Sequence, residues 1–106
     1  MATVAKILGQ SKPTAANSTL LYTAPSGAEC QGTLTICNQS TNVDKVRFAL
    51  VLAGEVLDSK HYLMYDTTIP ANSVIEKTFD IGKSDTVYVY TTNGYCSFTA
   101  CGLEIS

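Results

Sequence analysis

The residues best equipped for chemistry lie together in "KHYLMYDTTIPANS", Lys60 to Ser73, which holds the chain's one histidine, two of its six tyrosines and an aspartate. His61 and Asp66 are the types that form a general base and its orienting acid, and such a base also requires a nucleophile within hydrogen-bond reach. Their spacing argues against it. Five residues apart on one extended strand, the two side chains point to opposite faces and lie roughly 16 Å from each other. No G-x-S-x-G elbow, P-loop, paired carboxylates on one strand or glycine-rich phosphate cradle occurs elsewhere. The expectation is a chain without catalytic residues, with His61 a strand histidine sharing its face with Leu63 and Tyr65.

Cys30, Cys37, Cys96 and Cys101 form two local pairs, spaced C-x6-C and C-x4-C. Structural zinc sites start from tighter knuckles such as C-x2-C, so neither spacing suggests a metal site. Disulfides fit better, and four cysteines allow three complete connectivities. Cys30 with Cys37 is the least favoured pair on one strand, because seven residues span about 23 Å and bridged Cα atoms lie within about 7 Å. The start "MATVAKILGQSKPTAANS" lacks the apolar core of a signal peptide, about 7 to 15 residues long. No apolar run reaches the roughly 18 residues that cross a bilayer. Neither export nor membrane insertion is expected, so an oxidising compartment has to be reached by another route. The sequons at Asn17 and Asn38 read as chance matches for the same reason.

The composition restricts the remaining classes. At 106 residues, 45% hydrophobic and 15% charged, the chain suits one folded domain over residues 1–106. The net charge of −2 is spread without a basic stripe, which argues against nucleic-acid binding.

These residues must be positioned by strands, because β-branched residues and tyrosine dominate and no capped apolar 3.6-residue period occurs. Strands are predicted at Thr3–Leu8, Thr19–Thr23, Gln31–Asn38, Lys45–Ala53, Lys60–Thr67, Val74–Ile81, Thr86–Thr92 and Tyr95–Ile105. The segments between them, such as "APSGA", "NQSTN", "IPANS" and "GKSD", are rich in turn formers. Pro70 makes "TIPANS" a corner. Turn signals every 8 to 12 residues or so fit an all-β fold, an immunoglobulin-like or jelly-roll antiparallel sandwich of about 7–8 strands. Alternation sends Val46, Phe48, Leu50 and Leu52 inward, with Leu34 and Ile36. Cys96, Phe98 and Ala100 share one face, and Cys37 and Cys101 face out. In "TVYVY" either Val87 and Val89 or Tyr88 and Tyr90 go in. Asn93-Gly94 suits a two-residue type I′ hairpin between the last two strands. Leu103 and Ile105 at the end, with the aromatic faces, leave apolar surface that suggests a protein partner.

The order "KILGQ..P...T.LYT.PSG", "CN", "KHYLMYDTTIPANS", "VYVYTTNG.CSF...G.EIS" resembles a group of small tailed-phage virion proteins. Members carry Lys-x-Tyr-x-x-Tyr-Asp followed by Ile/Val-Pro-Ala-Asn-Ser/Asp and end in Gly-x-Glu-Ile. The resemblance spans nearly the whole chain and rests most on "YDTTIPANS" and the ending. It implies a non-enzymatic β-sandwich, without cofactors, that attaches to a capsid, neck or tail surface of the virion as an accessory or decoration subunit. Other virion proteins and further copies of the chain would be its partners, through Tyr62, Tyr65, Tyr88, Tyr90, Leu103 and Ile105, with edge strands pairing between copies. The four thiols depart from the family pattern. Particles assemble in a reducing host cytoplasm and oxidise after lysis, so outward cysteines could crosslink neighbouring subunits without a signal peptide. The competing expectation is a receptor- or carbohydrate-binding module of a tail fibre, using Tyr62, Tyr65 and Asp66.

Overall fold

The computed structural model describes residues 2–106. Eight strands form two four-stranded antiparallel sheets: β1 (Thr3–Ser11), β2 (Thr19–Thr23), β3 (Glu29–Asn38), β4 (Asp44–Val51), β5 (Tyr62–Ile69), β6 (Val74–Ile81), β7 (Thr86–Thr91) and β8 (Cys96–Ile105). Sheet A runs β1-β8-β3-β6 and sheet B runs β2-β7-β4-β5. Strand β1 therefore pairs with β8, β2 with β7, β3 with β6 and β4 with β5. The chain behaves as one long hairpin with its tip at β4–β5, rolled until β3 meets β8 and β4 meets β7. That is the jelly-roll order, and it excludes the immunoglobulin one, whose sheets join consecutive strands differently.

Alternation fills the core as expected over most strands. Leu34, Ile36, Phe79, Ile81, Cys96, Phe98 and Ala100 from sheet A meet Val46, Phe48, Met64, Ile69, Val87 and Val89 from sheet B. Val87 and Val89 go in and Tyr88 and Tyr90 out, because β7 is central and its inner face lies over the core. Phe48 and Phe79 meet edge to face across the sandwich, ring centroids 6.0 Å apart, a favoured aromatic geometry. Gly32 makes room in this layer. A Cβ there would lie 2.6 Å from the Phe79 ring, which covers the strand at that point.

Three expectations are corrected. Leu52 lies beyond the end of β4 and is 61% exposed, while Leu50 packs on the core. Residues Lys60 and His61 belong to a short 3₁₀ helix, Ser59–His61, not to β5, because Asp58 caps it: its carboxylate accepts the Ser59 N–H. Asn93-Gly94 does not close a hairpin, since β7 belongs to sheet B and β8 to sheet A. Of the two, only Gly94 has a positive φ, +76°, whereas a type I′ turn places both central residues there.

Six of the seven connections change sheet, and all but β4–β5 must bend over an end of the sandwich. Some of their backbone groups bond to one another, as Ala24 N–H does to the Asp85 carbonyl, and others are bonded by side chains. At one end, fully buried Asp44 accepts the N–H groups of Lys45, Asn93 and Tyr95 and the Thr91 hydroxyl. Beside it Asn38 donates to the carbonyls of Asn42, Ile69 and Pro70, and its side-chain oxygen accepts the Ser40 N–H. At the other end Asp85 accepts the Ala53 and Gly82 N–H groups. Burial alone would push the Asp44 carboxyl up, but the hydrogen bonds from Thr91, Asn93, Lys45 and Cys96 outweigh it and hold it below its ordinary value.

Replacing Asp44 with Ala strands three backbone N–H groups and a hydroxyl, and chemical denaturation should show a loss of about 3–5 kcal/mol. A folded carboxyl held below its ordinary 3.8 contributes stability that is present above that pH and lost as pH falls through the folded value. The stability gap between wild type and Asp44→Asn should therefore shrink below pH ~3.8. A gap that is flat down to acid unfolding would contradict this assignment.

Candidate functional site

Strand β5 is out of step with β4. Val46 faces Thr67, Phe48 faces Met64 and Ala49 faces Tyr62, so β5 carries one residue too many twice: Tyr65 and Asp66 together oppose Arg47, and Leu63 opposes nothing. Such bulges break the two-residue period and bend the strand. Asp66 takes φ +51° to make the first one, a left-handed conformation that Asp and Asn tolerate better than most side chains. The consequence is chemical. Tyr62, Tyr65 and Asp66, which strict alternation would scatter over both faces, gather on the outer face of sheet B around Arg47.

The Arg47 guanidinium carbon lies 4.1 Å from the centroid of the Tyr65 ring and 4.2 Å from that of Tyr90. Its Nε donates to Asp66 Oδ1 at 2.7 Å and its terminal nitrogen to Oδ2 at 3.4 Å. Tyr62 meets Tyr65 edge to face at 5.0 Å. The Asp66 hydrogen bonds hold Arg47 above its ordinary value, and the same bonds hold the Asp66 carboxyl below its own. A second row crosses all four strands of the sheet beside this cluster: Leu20, Tyr88, Ala49 and Tyr62 lie opposite one another in turn. Leu20 is 49% exposed and Tyr65 57%. The face is thus an aromatic platform with its one arginine already oriented, which suits stacking and shape-matched contact more than proton transfer.

His61 is elsewhere and otherwise engaged. It is buried, its Nδ1 accepts the Asp58 N–H at 2.9 Å, and its Nε2 lies 2.8 Å from Glu55 Oε1. An acceptor Nδ1 makes Nε2 the protonated nitrogen, so the ring is a brace between the Glu55 loop and the 3₁₀ helix. It does not share a strand face with Leu63 and Tyr65, and Asp66 is bonded to Arg47. Among the described residues, no three His, Cys, Asp or Glu side chains converge as metal ligands do.

The other marked residues lie on sheet A. Leu103 and Ile105 are half-buried on its outer face, with Cys37 half-buried and Cys101 exposed on the same face. Cys101 borders a groove of about 330 Å³ with Gln31, Thr33, Thr78, Asp80 and Leu103. Cys30 and Cys96 are buried in the core; burial pushes the Cys96 thiol up to about 12, and Cys30 up as well. All four are free thiols. The ladder forbids intrachain bridges: Cys37 and Cys96 are one step out of register but point to opposite faces, and every other pair is separated by about 10 Å or more along the strands.

Arg47 was the residue that the motif reading missed. Its signal was present in "VRFALVL", where it is the one charged outward position, and only the pairing with β7 and β5 reveals what it meets.

No family model matches the chain, and no curated protein does. Among solved structures, one that matches is a cleaved adhesin domain of Lys-gingipain from Porphyromonas gingivalis, with 10% identity over 98% of this chain and 72% of that one, and a TM-score of 0.45. Similarity at that level carries no argument about function.

If Arg47 is held by its rings, a double-mutant cycle of Arg47→Met and Tyr90→Leu should return a coupling of about 0.5–1 kcal/mol by urea denaturation. Additive effects would show that the stacking is only proximity.

Proposed function

We propose that this chain is a non-enzymatic structural subunit of a bacteriophage particle, an accessory or decoration protein on the capsid, neck or tail that docks through the outer face of sheet B. The observation that carries the reading is the Tyr90–Arg47–Tyr65–Tyr62 cluster. Tyrosine and arginine are the types that dominate protein–protein hot spots, and a preformed cluster loses little side-chain freedom on docking. The jelly roll recurs in viral shells and in lectins alike, so the fold supports the reading only as an analogy. The resemblance to small virion proteins supports the same choice. Repetition on a symmetric particle lets weak single contacts add by avidity.

The tail-fibre reading is less well served. A sugar would stack on Tyr65 and bond to Asp66, yet Arg47 lies over one and holds the carboxylate of the other. Intersubunit disulfides remain part of the proposal through Cys37 and Cys101, the two outward thiols.

Quantitative gel densitometry of purified particles tests the reading. A decoration subunit is expected in hundreds of copies, with Arg47→Ala or Tyr65→Ala lowering its incorporation while the isolated variants stay folded. Absence from the particle, or a few copies at a fibre tip, would overturn it. On the same particles, non-reducing gels should show crosslinked bands that Cys37→Ser or Cys101→Ser removes; a monomer band indifferent to reductant would remove the disulfides from the account.

A further inference from the structure

Each sheet ends in two strands with one open side, β1 and β6 in sheet A and β2 and β5 in sheet B. Open edges pair with other strands unless they are short, bulged or charged. Strand β2 has five residues and a bulge at Leu21. Strand β5 has two bulges and the left-handed Asp66. Strand β6 exposes Glu76, Lys77 and Asp80. Strand β1 lacks this protection over its first half. Its bulge falls at Leu8, leaving Thr3 to Ile7 regular, and all five residues are exposed, with Val4 at 50% and Ile7 at 59%. The one charge there, Lys6, is turned back onto Glu104 of its own chain, 2.9 Å away.

The backbone has a defined direction. Ala2 and Ser106 exchange both hydrogen bonds, Ala2 N–H to Ser106 at 3.1 Å and Ser106 N–H to Ala2 at 2.8 Å. In an antiparallel ladder such pairs alternate with pairs whose N–H and C=O groups point away from the partner strand. Val4 and Lys6 are in phase with Ala2 and bond to β8. Thr3, Ala5 and Ile7 are out of phase, and their backbone groups point to the open side.

We propose that this edge joins two copies of the chain, antiparallel and two-fold about Ala5, so that the two A sheets become one. Thr3 of one copy then meets Ile7 of the other and Ala5 meets Ala5, which pairs all three outward residues on each side. Lys6 falls opposite Val4 of the second copy, so no ammonium faces another. This charge offset, with complete backbone pairing, singles out a second copy as the occupant. The inference does not depend on the particle reading. Five residues a side is a small contact compared with the roughly 1,600 Å² of a standard interface, so the dimer is weak in dilute solution.

Proline distinguishes the edge from the fold, because it removes an N–H and is tolerated where that N–H points outward. Sedimentation velocity of the full chain, up to roughly millimolar, should show a monomer–dimer equilibrium. Ala5→Pro should raise its dissociation constant roughly tenfold or more with the circular dichroism spectrum and melting midpoint of the monomer retained, and Thr3→Pro gives the second test should Ala5→Pro misfold. Amide exchange at Ala5 should slow as protein concentration rises, while Val4 and Lys6 are protected throughout. A monomer at every concentration, a dimer indifferent to both prolines, or growth into open filaments would overturn the proposal.

Discussion

The Asp44 carboxylate is where the two sheets are tied together. It heads β4, bonds to Thr91 at the end of β7, and holds the N–H groups of Asn93 and Tyr95 on the way to β8. A jelly roll needs such a tie because it crosses repeatedly between layers, and every crossing exposes backbone groups that no ladder can pair. Asn38 does the same for the β3–β4 and β5–β6 crossings, and Asp85 for the far end. With the ends fixed, the apolar inner faces have one way to meet, and Phe48 lies against Phe79.

What the ends fix, the outer face of sheet B can use. A central strand with regular pairing, β7, supplies Tyr88 and Tyr90 at a constant phase. A bulged edge strand, β5, supplies Tyr62, Tyr65 and Asp66 at a phase the bulges set. Arg47 lies between them and is held from three sides. Local irregularity on a rigid scaffold is a common way to aim side chains, and here the irregular strand is the segment whose residue types first suggested chemistry.

Much of the fold was legible because its alternation is strong. Strands β2 and β6 begin and end where turn formers bracket them, at Thr19–Thr23 and Val74–Ile81. Leu34, Ile36, Val46 and Phe48 go in as their spacing indicates. The Asn93-Gly94 segment was misread because turn chemistry is local, whereas the sheet that receives the next strand is chosen by packing far along the chain. The grouping of Tyr62 with Tyr65 was hidden for a related reason: three residues apart, they share a face only if a bulge intervenes, and Leu63, the extra residue between them, is an apolar residue that marks no bulge. His61 escapes the alternation pattern because Asp58, three residues before it, caps a single 3₁₀ turn, too short to show a helical period in the sequence.

The central claim is that the outer face of sheet B is a docking surface on a particle. The most direct measurement is a reconstruction of the intact particle at side-chain resolution. The account predicts density for this jelly roll with Tyr65, Arg47 and Tyr90 against a neighbouring virion protein. The same fold seated with that face open to solvent would contradict it.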